Sequence, residues 1–455
     1  MDSAPAFVDT AALIDARKVG GLQKLIGVLG ACALFVEGFD TTVIGYIAPQ
    51  IAKAWGISSD TQGFILSADL FGLLLGYLFL SPYSARFGHK RMVVACTAAF
   101  GLLTFLTITA TNVPVLIAFR VLTGIGVGGA MPSAVALTGE YFPERMRSTS
   151  ITLMYIGYSI GQIGAGIVAG ALLAAYGWQT VVAVGGIATL VFAGCFVFAL
   201  PESLEFLINR GEGKLRAAAI LRRLAPGIAI SDSTRLMAGQ QGGRAVKVRQ
   251  LLEDGRGFGT ALVWAGMFMN LGIYFFLQKW LTTLLVMSGL TQQAAIQATA
   301  ISLAGGIVAA FILGPLMDRF GPYSVVAGLF AVSALAVLAM GAVLGMPEHP
   351  MVILASLAAG FCLSGGQKAN NALTVYFYPT ALRGTGLGWS LGVGRVGGFL
   401  CPLLVGQLLV MGWTPGDLFY AASVPMAAGA VAIWLMGHYY GERAAASRLA
   451  PSHKA

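Results

Sequence analysis

The stretch Leu34-Phe-Val-Glu-Gly-Phe-Asp-Thr-Thr-Val-Ile-Gly-Tyr-Ile47 sets two carboxylates, Glu37 and Asp40, in the middle of a long apolar run. An acid in such a run costs free energy unless it has a partner or a polar cavity to face. Three residues apart on a helix, the two side chains project from nearly one face, so they share a cavity and influence each other's protonation. Apolar stretches of roughly 20 residues, the length that crosses a bilayer, recur about twelve times between Leu22 and His438.

The rest of the composition agrees. The chain has 455 residues, 57% hydrophobic and 10% charged, with 61 Gly and a mean hydropathy of +0.79, far outside the soluble range. It reads as an all-α polytopic protein of the lipid bilayer. The first span is too long and too acidic for a cleaved signal and is expected to be retained. The net charge of +9 does not form a nucleic-acid surface, because the basic residues follow alternate loops. Arg17, Lys18 and Lys24 precede span one; Arg86, Lys90 and Arg91 follow span two; Arg145 and Arg147 follow span four; Arg319 and Arg383 follow spans eight and ten. The opposite loops hold almost only Lys53, which places both termini and the large middle loop in the cytoplasm. Cys32, Cys96, Cys195, Cys362 and Cys401 all lie in apolar spans with no pairing or metal-ligand spacing.

The expected organisation is a cytoplasmic segment 1–21, a six-helix bundle 22–200, a central loop 201–258, a second six-helix bundle 259–440 and a tail 441–455. The halves echo each other. Ala85-Arg-Phe-Gly88 matches Asp318-Arg-Phe-Gly321 at an offset of 233 residues, from Ala85 to Asp318. Pro143-Glu-Arg-Met-Arg147-Ser-Thr149 matches Pro379-Thr-Ala-Leu-Arg383-Gly-Thr385 at an offset of 236 residues, from Pro143 to Pro379. Matched loops at nearly one spacing imply two related bundles rocking around a midplane site.

These residues carry a resemblance. The loop from Gly76 to Arg91, and Arg120 followed by Gly124, Gly126 and Gly128, resemble the major facilitator superfamily along essentially the whole chain. Glu37-Gly-Phe-Asp40, Tyr141-Phe-Pro-Glu-Arg145, Leu200-Pro-Glu-Ser203 and Tyr378-Pro-Thr-Ala-Leu-Arg-Gly-Thr-Gly386 resemble its aromatic acid:proton symporters. The resemblance implies a monomeric carrier in a bacterial inner membrane, with no cofactor and no metal. It also implies gating roles for Arg86, Gly88, Asp318, Arg319, Arg147 and Arg383. Ala85 stands where the family's loop carries an Asp, leaving that gate contact to Asp318, and Glu37 stands where the symporters show Asp.

Seven charged positions lie inside the spans: the acids Glu37, Asp40 and Asp69, and the bases Arg120, Lys279, Lys368 and Arg395. At roughly 2.5–3.5 kcal/mol each at a helix centre, they cannot all face lipid. Four cations against three acids leave a positive surplus, which favours an anionic substrate. Arg120 either clamps a carboxylate or ties helix four to helix one; Arg395 has Gly394, Gly397 and Gly398 to open space beside it. Lys279 and Lys368 either meet a second carboxylate or an acidic phenol, or pair with Asp69 and Glu37. Asn270, Gln278, Gln367, Asn370 and Asn371 add hydrogen-bonding groups, and Phe39, Tyr155, Tyr158, Trp280 and Trp389 add rings for an aromatic wall.

Pulling an anion into a negative interior costs about 2.3 kcal/mol per charge per 100 mV, so protons must travel with it. Asp40 is the expected carrier, with Glu37 as partner; Asp69 either carries a proton or neutralises a lysine. No Walker A, zinc spacing or nucleophile elbow is present, and Gly124-Ile-Gly-Val-Gly-Gly129 lies inside an apolar helix rather than after a strand. The reading is therefore proton-coupled import of an aromatic carboxylate, an aromatic dicarboxylate included. The alternatives are an aliphatic, muconate-like dicarboxylate carrier or a membrane sensor that binds the same anion without moving it.

Overall fold

The computed structural model describes residues 7–210, 214–225, 234–237, 248–344, 349–379 and 382–441. Parts of the central loop, the tail beyond residue 441, and Thr380 and Ala381 of the second matched loop lie outside the described residues. A strand β1 (Phe7–Asp9) and a short helix α1 (Thr10–Asp15) lead into α2 (Gly21–Trp55), α3 (Ser59–Leu75), α4 (Ser84–Phe87), α5 (His89–Leu106), α6 (Val113–Tyr141) and α7 (Glu144–Ala199). Two short helices, α8 (Leu204–Asn209) and α9 (Lys214–Leu224), and a strand β2 (Arg235–Met237) follow. The chain then forms α10 (Gly257–Met287), α11 (Gln292–Phe320), α12 (Pro322–Val343), α13 (His349–Phe377), α14 (Arg383–Val410) and α15 (Pro415–Met436).

Eleven of the described helices are long and apolar enough to cross a membrane. One of them, α7, has 56 residues, about 84 Å at the α-helical rise, when a hydrocarbon layer needs about 30 Å. Its backbone breaks at Gly177, where φ is 80° and ψ is 172°, a region that side chains beyond glycine enter only under strain. The break divides α7 into two spans, and the twelve crossings expected from the sequence are complete. Gly177→Ala is expected to cost about 1–3 kcal/mol and to lower the unfolding temperature in detergent. An unchanged unfolding temperature would show that the break does not need glycine.

Helix starts are set locally. Asn112 caps α6 by accepting from Val115 N at 3.0 Å, with Pro114 in the first turn. Thr291 caps α11, and Thr414 with Asp417 forms a capping box on α15. Large apolar side chains such as Phe198, Phe311 and Leu335 lie on the outside of the molecule, as a lipid-facing surface requires.

The chain divides into two compact units: Met1–Val43, Ala68–Ala165 and Tyr176–Gly243 form the first; Ile44–Ser67, Gly166–Ala175 and Arg244–Ala455 form the second. In the first, β1 pairs in parallel with β2, Phe7 opposite Arg235, and Thr10 Oγ1 donates to the Met237 carbonyl at 3.2 Å. The same segment is fastened to the start of α7. Glu144 N donates to Asp15 Oδ1 at 2.7 Å, and Arg145 donates to the carbonyls of Asp15 and Arg17, both at 2.6 Å. In the second unit, Trp280 Nε1 on α10 donates to the Pro402 carbonyl on α14 at 2.9 Å, and Gln62 Nε2 donates to Thr283 Oγ1 at 2.9 Å.

Candidate functional site

In the first unit, α3 and α6 cross at small residues. A Cβ on Gly124 would overlap the Asp69 carbonyl oxygen, and one on Gly72 would overlap that of Val121. Arg120 stands one turn before Gly124 on the same face of α6, so this close approach delivers its guanidinium to Asp69. The charge cluster follows. Arg120 Nη2 lies 3.1 Å from Asp40 Oδ2 and 3.7 Å from Asp69 Oδ2; Nη1 donates to Asp40 Oδ1 at 3.3 Å and Nη2 to the Asp40 carbonyl at 3.1 Å. Thr104 Oγ1, on α5, donates to Asp40 Oδ1 at 2.7 Å. Arg120 is 1% exposed, Asp40 2% and Asp69 4%, so four helices meet on a sealed set of two carboxylates and one cation. Of the two roles open for Arg120, its contacts here are those of a tie to helix one. Breaking a buried pair of this kind leaves a charge without compensation, which is what makes such sets costly to disturb.

Glu37 is buried one turn before Asp40. Phe39 is buried, Tyr158 is half-buried and Tyr155 is exposed. Thr104 has no signal in the sequence beyond being a hydroxyl in an apolar span. Glu202, quoted above only for its resemblance, turns out to serve α5. Gly88, at φ 96°, offers that helix no side-chain cap, and Glu202 Oε1 accepts from Lys90 N at 2.9 Å and from Ser203 N at 3.0 Å. A carboxylate there also complements the positive end of the helix dipole.

In the second unit, Gln278, Lys279 and Trp280 are buried together on α10. Trp280 is sealed with its indole nitrogen on Pro402, so it is packing rather than an open cavity wall. Trp389 is 46% exposed and stacks on Trp264, centroids 6.1 Å apart. Lys368 Nζ donates to the Gly306 carbonyl across the α11–α13 crossing, where a Cβ on Gly360 would overlap the Ser302 carbonyl oxygen. Gln367 and Asn371 are half-buried; Asn370 and Asn270 are buried, and Asn270 Nδ2 donates to the Leu363 carbonyl at 3.3 Å. Arg395 is half-buried. The glycines expected to open space beside it do not. A Cβ on Gly394 would meet Met267 Cγ at 2.7 Å, and Gly397 and Gly398 abut the Phe268 carbonyl and the Phe275 ring, so α10 fills that room. A small cavity of about 10 Å³ lies in this unit, walled by Tyr274, Gln278, Thr299, Ser302, Leu303 and Ser364 among others.

The matched loops carry matched geometry. Gly88 and Gly321 have φ of 96° and 81°, and Arg86 and Arg319 lie 6.0 and 5.2 Å from the ring centroids of Phe87 and Phe320. Arg147 Nε donates to the Gly139 carbonyl at 2.9 Å and Arg383 Nε to that of Tyr378 at 3.3 Å. Asp318 is exposed and forms no ion pair among the described residues, so the gate contact expected of it is not made in this structure.

The Major Facilitator Superfamily model matches residues 30–302 and 257–454. The 4-hydroxybenzoate transporter PcaK of Pseudomonas aeruginosa is 35% identical over 434 residues, covering 94% of this chain and 96% of the relative. The gallate transporter of Pseudomonas putida is 35% identical over 434 residues, 95% and 96% of the two chains. The 3-(3-hydroxy-phenyl)propionate transporter of Escherichia coli is 31% identical over 419 residues, 91% and 94% of the two chains. Among solved structures, the partially occluded, inward-open xylose transporter XylE from E. coli superposes with a TM-score of 0.71 at 17% identity, covering 91% of this chain and 98% of that one; at that identity the likeness shows the fold, twelve helices in two bundles. With the family model spanning most of the sequence and relatives above 30% identity along nearly all of it, this chain belongs to the Major Facilitator Superfamily and is a membrane transporter, not an enzyme.

Proposed function

We propose that this transporter imports an aromatic carboxylate together with protons. The observation that carries the reading is the buried Asp40–Arg120–Asp69 set. Two carboxylates around one guanidinium leave one negative charge in a site closed to water, and a single proton removes it. A site that is neutral when loaded with a proton and charged when empty is what coupling to a proton gradient requires. The relatives named for 4-hydroxybenzoate, gallate and 3-(3-hydroxy-phenyl)propionate support an aromatic acid as cargo. Lys279, Lys368 and Arg395, with Gln278, Gln367, Asn370 and Asn371, are the groups we assign to its anionic and polar parts. The alternation of basic loops supports cytoplasmic termini; the bacterial relatives support an inner-membrane location; the working unit is the monomer. Residues 22–200 and 259–440 form the two bundles that alternate access.

Purified protein in liposomes tests this. An acidic outside is expected to drive accumulation of labelled benzoate, and a protonophore to abolish it. Binding without accumulation would make the protein a sensor, and accumulation indifferent to the protonophore would remove the proton.

A further inference from the structure

Hydroxyls on helices in apolar surroundings usually satisfy themselves on the carbonyl one turn back, and several do so here. Thr107, Thr189 and Thr374 donate to the carbonyls of Leu103, Gly185 and Asn370 at 2.9, 2.9 and 2.7 Å. Thr104 on α5, itself 1% exposed, does otherwise: its Oγ1 donates to Asp40 Oδ1 at 2.7 Å. The packing of α5 on α6 puts it there. A Cβ on Gly126 would meet Phe100 Cβ at 2.9 Å and the Cys96 carbonyl oxygen at 3.2 Å. The two helices therefore lie close along the face of α5 that carries Cys96, Phe100 and Thr104 at four-residue steps.

The carboxylate it meets is already held by a cation. Arg120 gives Nη1 to Oδ1 at 3.3 Å and Nη2 to Oδ2 at 3.1 Å. A guanidinium can only donate. That suits an ionised Asp40 and offers nothing to a protonated one, whose O–H needs an acceptor in a place closed to water. A hydroxyl serves both states, because it donates through its own hydrogen and accepts through its lone pairs.

We propose that Thr104 is a positioning residue for the coupling proton, through a bond to Asp40 that reverses direction with the charge of the carboxylate. With Asp40 ionised, Thr104 donates to Oδ1, the arrangement seen here. With the proton on Oδ1, Asp40 donates to Thr104 Oγ1, and the threonine hydrogen turns to the Phe100 carbonyl one turn back, where helix hydroxyls ordinarily rest. No proton passes through the threonine, which keeps its own. The two directions differ in strength, since a hydrogen bond to an ionised group is roughly twice as strong as one between neutral groups. Thr104 therefore favours the ionised carboxylate and eases release of the proton, the step that net import needs and exchange does not. The inference rests on the proton coupling through Asp40 proposed above and adds the group that governs how readily Asp40 lets the proton go.

Thr104→Val keeps the shape of the side chain and removes the hydroxyl; Thr104→Ser keeps the hydroxyl and drops a methyl. Each is compared with the parent, in liposomes, for benzoate uptake driven by an imposed pH difference and for counterflow of labelled against unlabelled benzoate, with unfolding temperature measured alongside. Thr104→Val is expected to slow driven uptake by about tenfold, the factor that separates a charged from a neutral hydrogen bond, while its counterflow and its KM for benzoate stay close to those of the parent. Thr104→Ser should restore driven uptake. Parent-like driven uptake in Thr104→Val, an equal fall in uptake and counterflow, or a Thr104→Ser variant as slow as Thr104→Val overturns this role and leaves import coupled through Asp40 standing. A parent whose benzoate uptake ignores the imposed pH difference overturns the coupling reading itself, and the role of Thr104 with it.

Discussion

Asp40→Asn is expected to reduce proton-driven accumulation to background while leaving exchange of cargo across the membrane. The substitution keeps the shape of the side chain and an oxygen for Arg120 and Thr104, which hold Asp40 at 3.1–3.3 Å and 2.7 Å. What it removes is the charge and the site for a proton. Arg120 then keeps one carboxylate, Asp69, as its ionic partner, the formal charge balance the parent reaches when it holds a proton. A carrier fixed in that state can still cycle with cargo on both sides, but it has nothing to return across the membrane that couples to the gradient. Counterflow of labelled against unlabelled benzoate reads the exchange, and uptake under an imposed pH difference reads the coupling. Parent-like accumulation in Asp40→Asn would sink the assignment of Asp40 as carrier; loss of both activities would make it structural.

Arg120→Met carries the largest expected effect on stability. It takes the guanidinium away from two carboxylates, each under 5% exposed, and breaking a buried pair from one side costs about 3–5 kcal/mol. The unfolding temperature in detergent should fall by roughly 3–5 °C, from about 2.1 cal/mol/K of unfolding entropy per residue over 455 residues. Adding Asp40→Asn to Arg120→Met should return part of the stability, a non-additivity expected of groups in contact. A variant as stable as the parent would mean that the set contributes nothing to the fold. A double variant no better than the single would place the cost elsewhere.

The membrane fold was legible because it rests on features repeated many times: apolar length, alternating basic loops and two matched loops. Asp40, Asp69 and Arg120 were legible as individuals, since an ion in an apolar span is conspicuous. A tie from Arg120 to helix one was among the readings, but Asp40 as its partner, 80 residues away, was not, and Asp69 reaches the same guanidinium only because the Gly124 crossing brings α3 and α6 close. Thr104 was missed for a related reason: a hydroxyl in a transmembrane helix is ordinary until its partner, here Asp40, is known. The aromatic wall fared differently. Whether Trp280 lines a cavity or plugs the packing depends on where its ring points, and the Pro402 carbonyl decides that from 122 residues away. The space beside Arg395 was misjudged because glycines admit a neighbouring helix as readily as a ligand.

The parallel pairing of β1 with β2 also sets an order of events. Arg235 is made 228 residues after Phe7, which at about 5–20 residues per second is a delay of roughly 10–45 s. For that interval the first strand has no partner, while the six spans of the first half leave the ribosome. The Asp15–Arg145 fastening becomes available earlier, as soon as α7 begins. The amino-terminal segment can therefore be tied down in two stages during synthesis, the second only after the chain has run through α7 to β2.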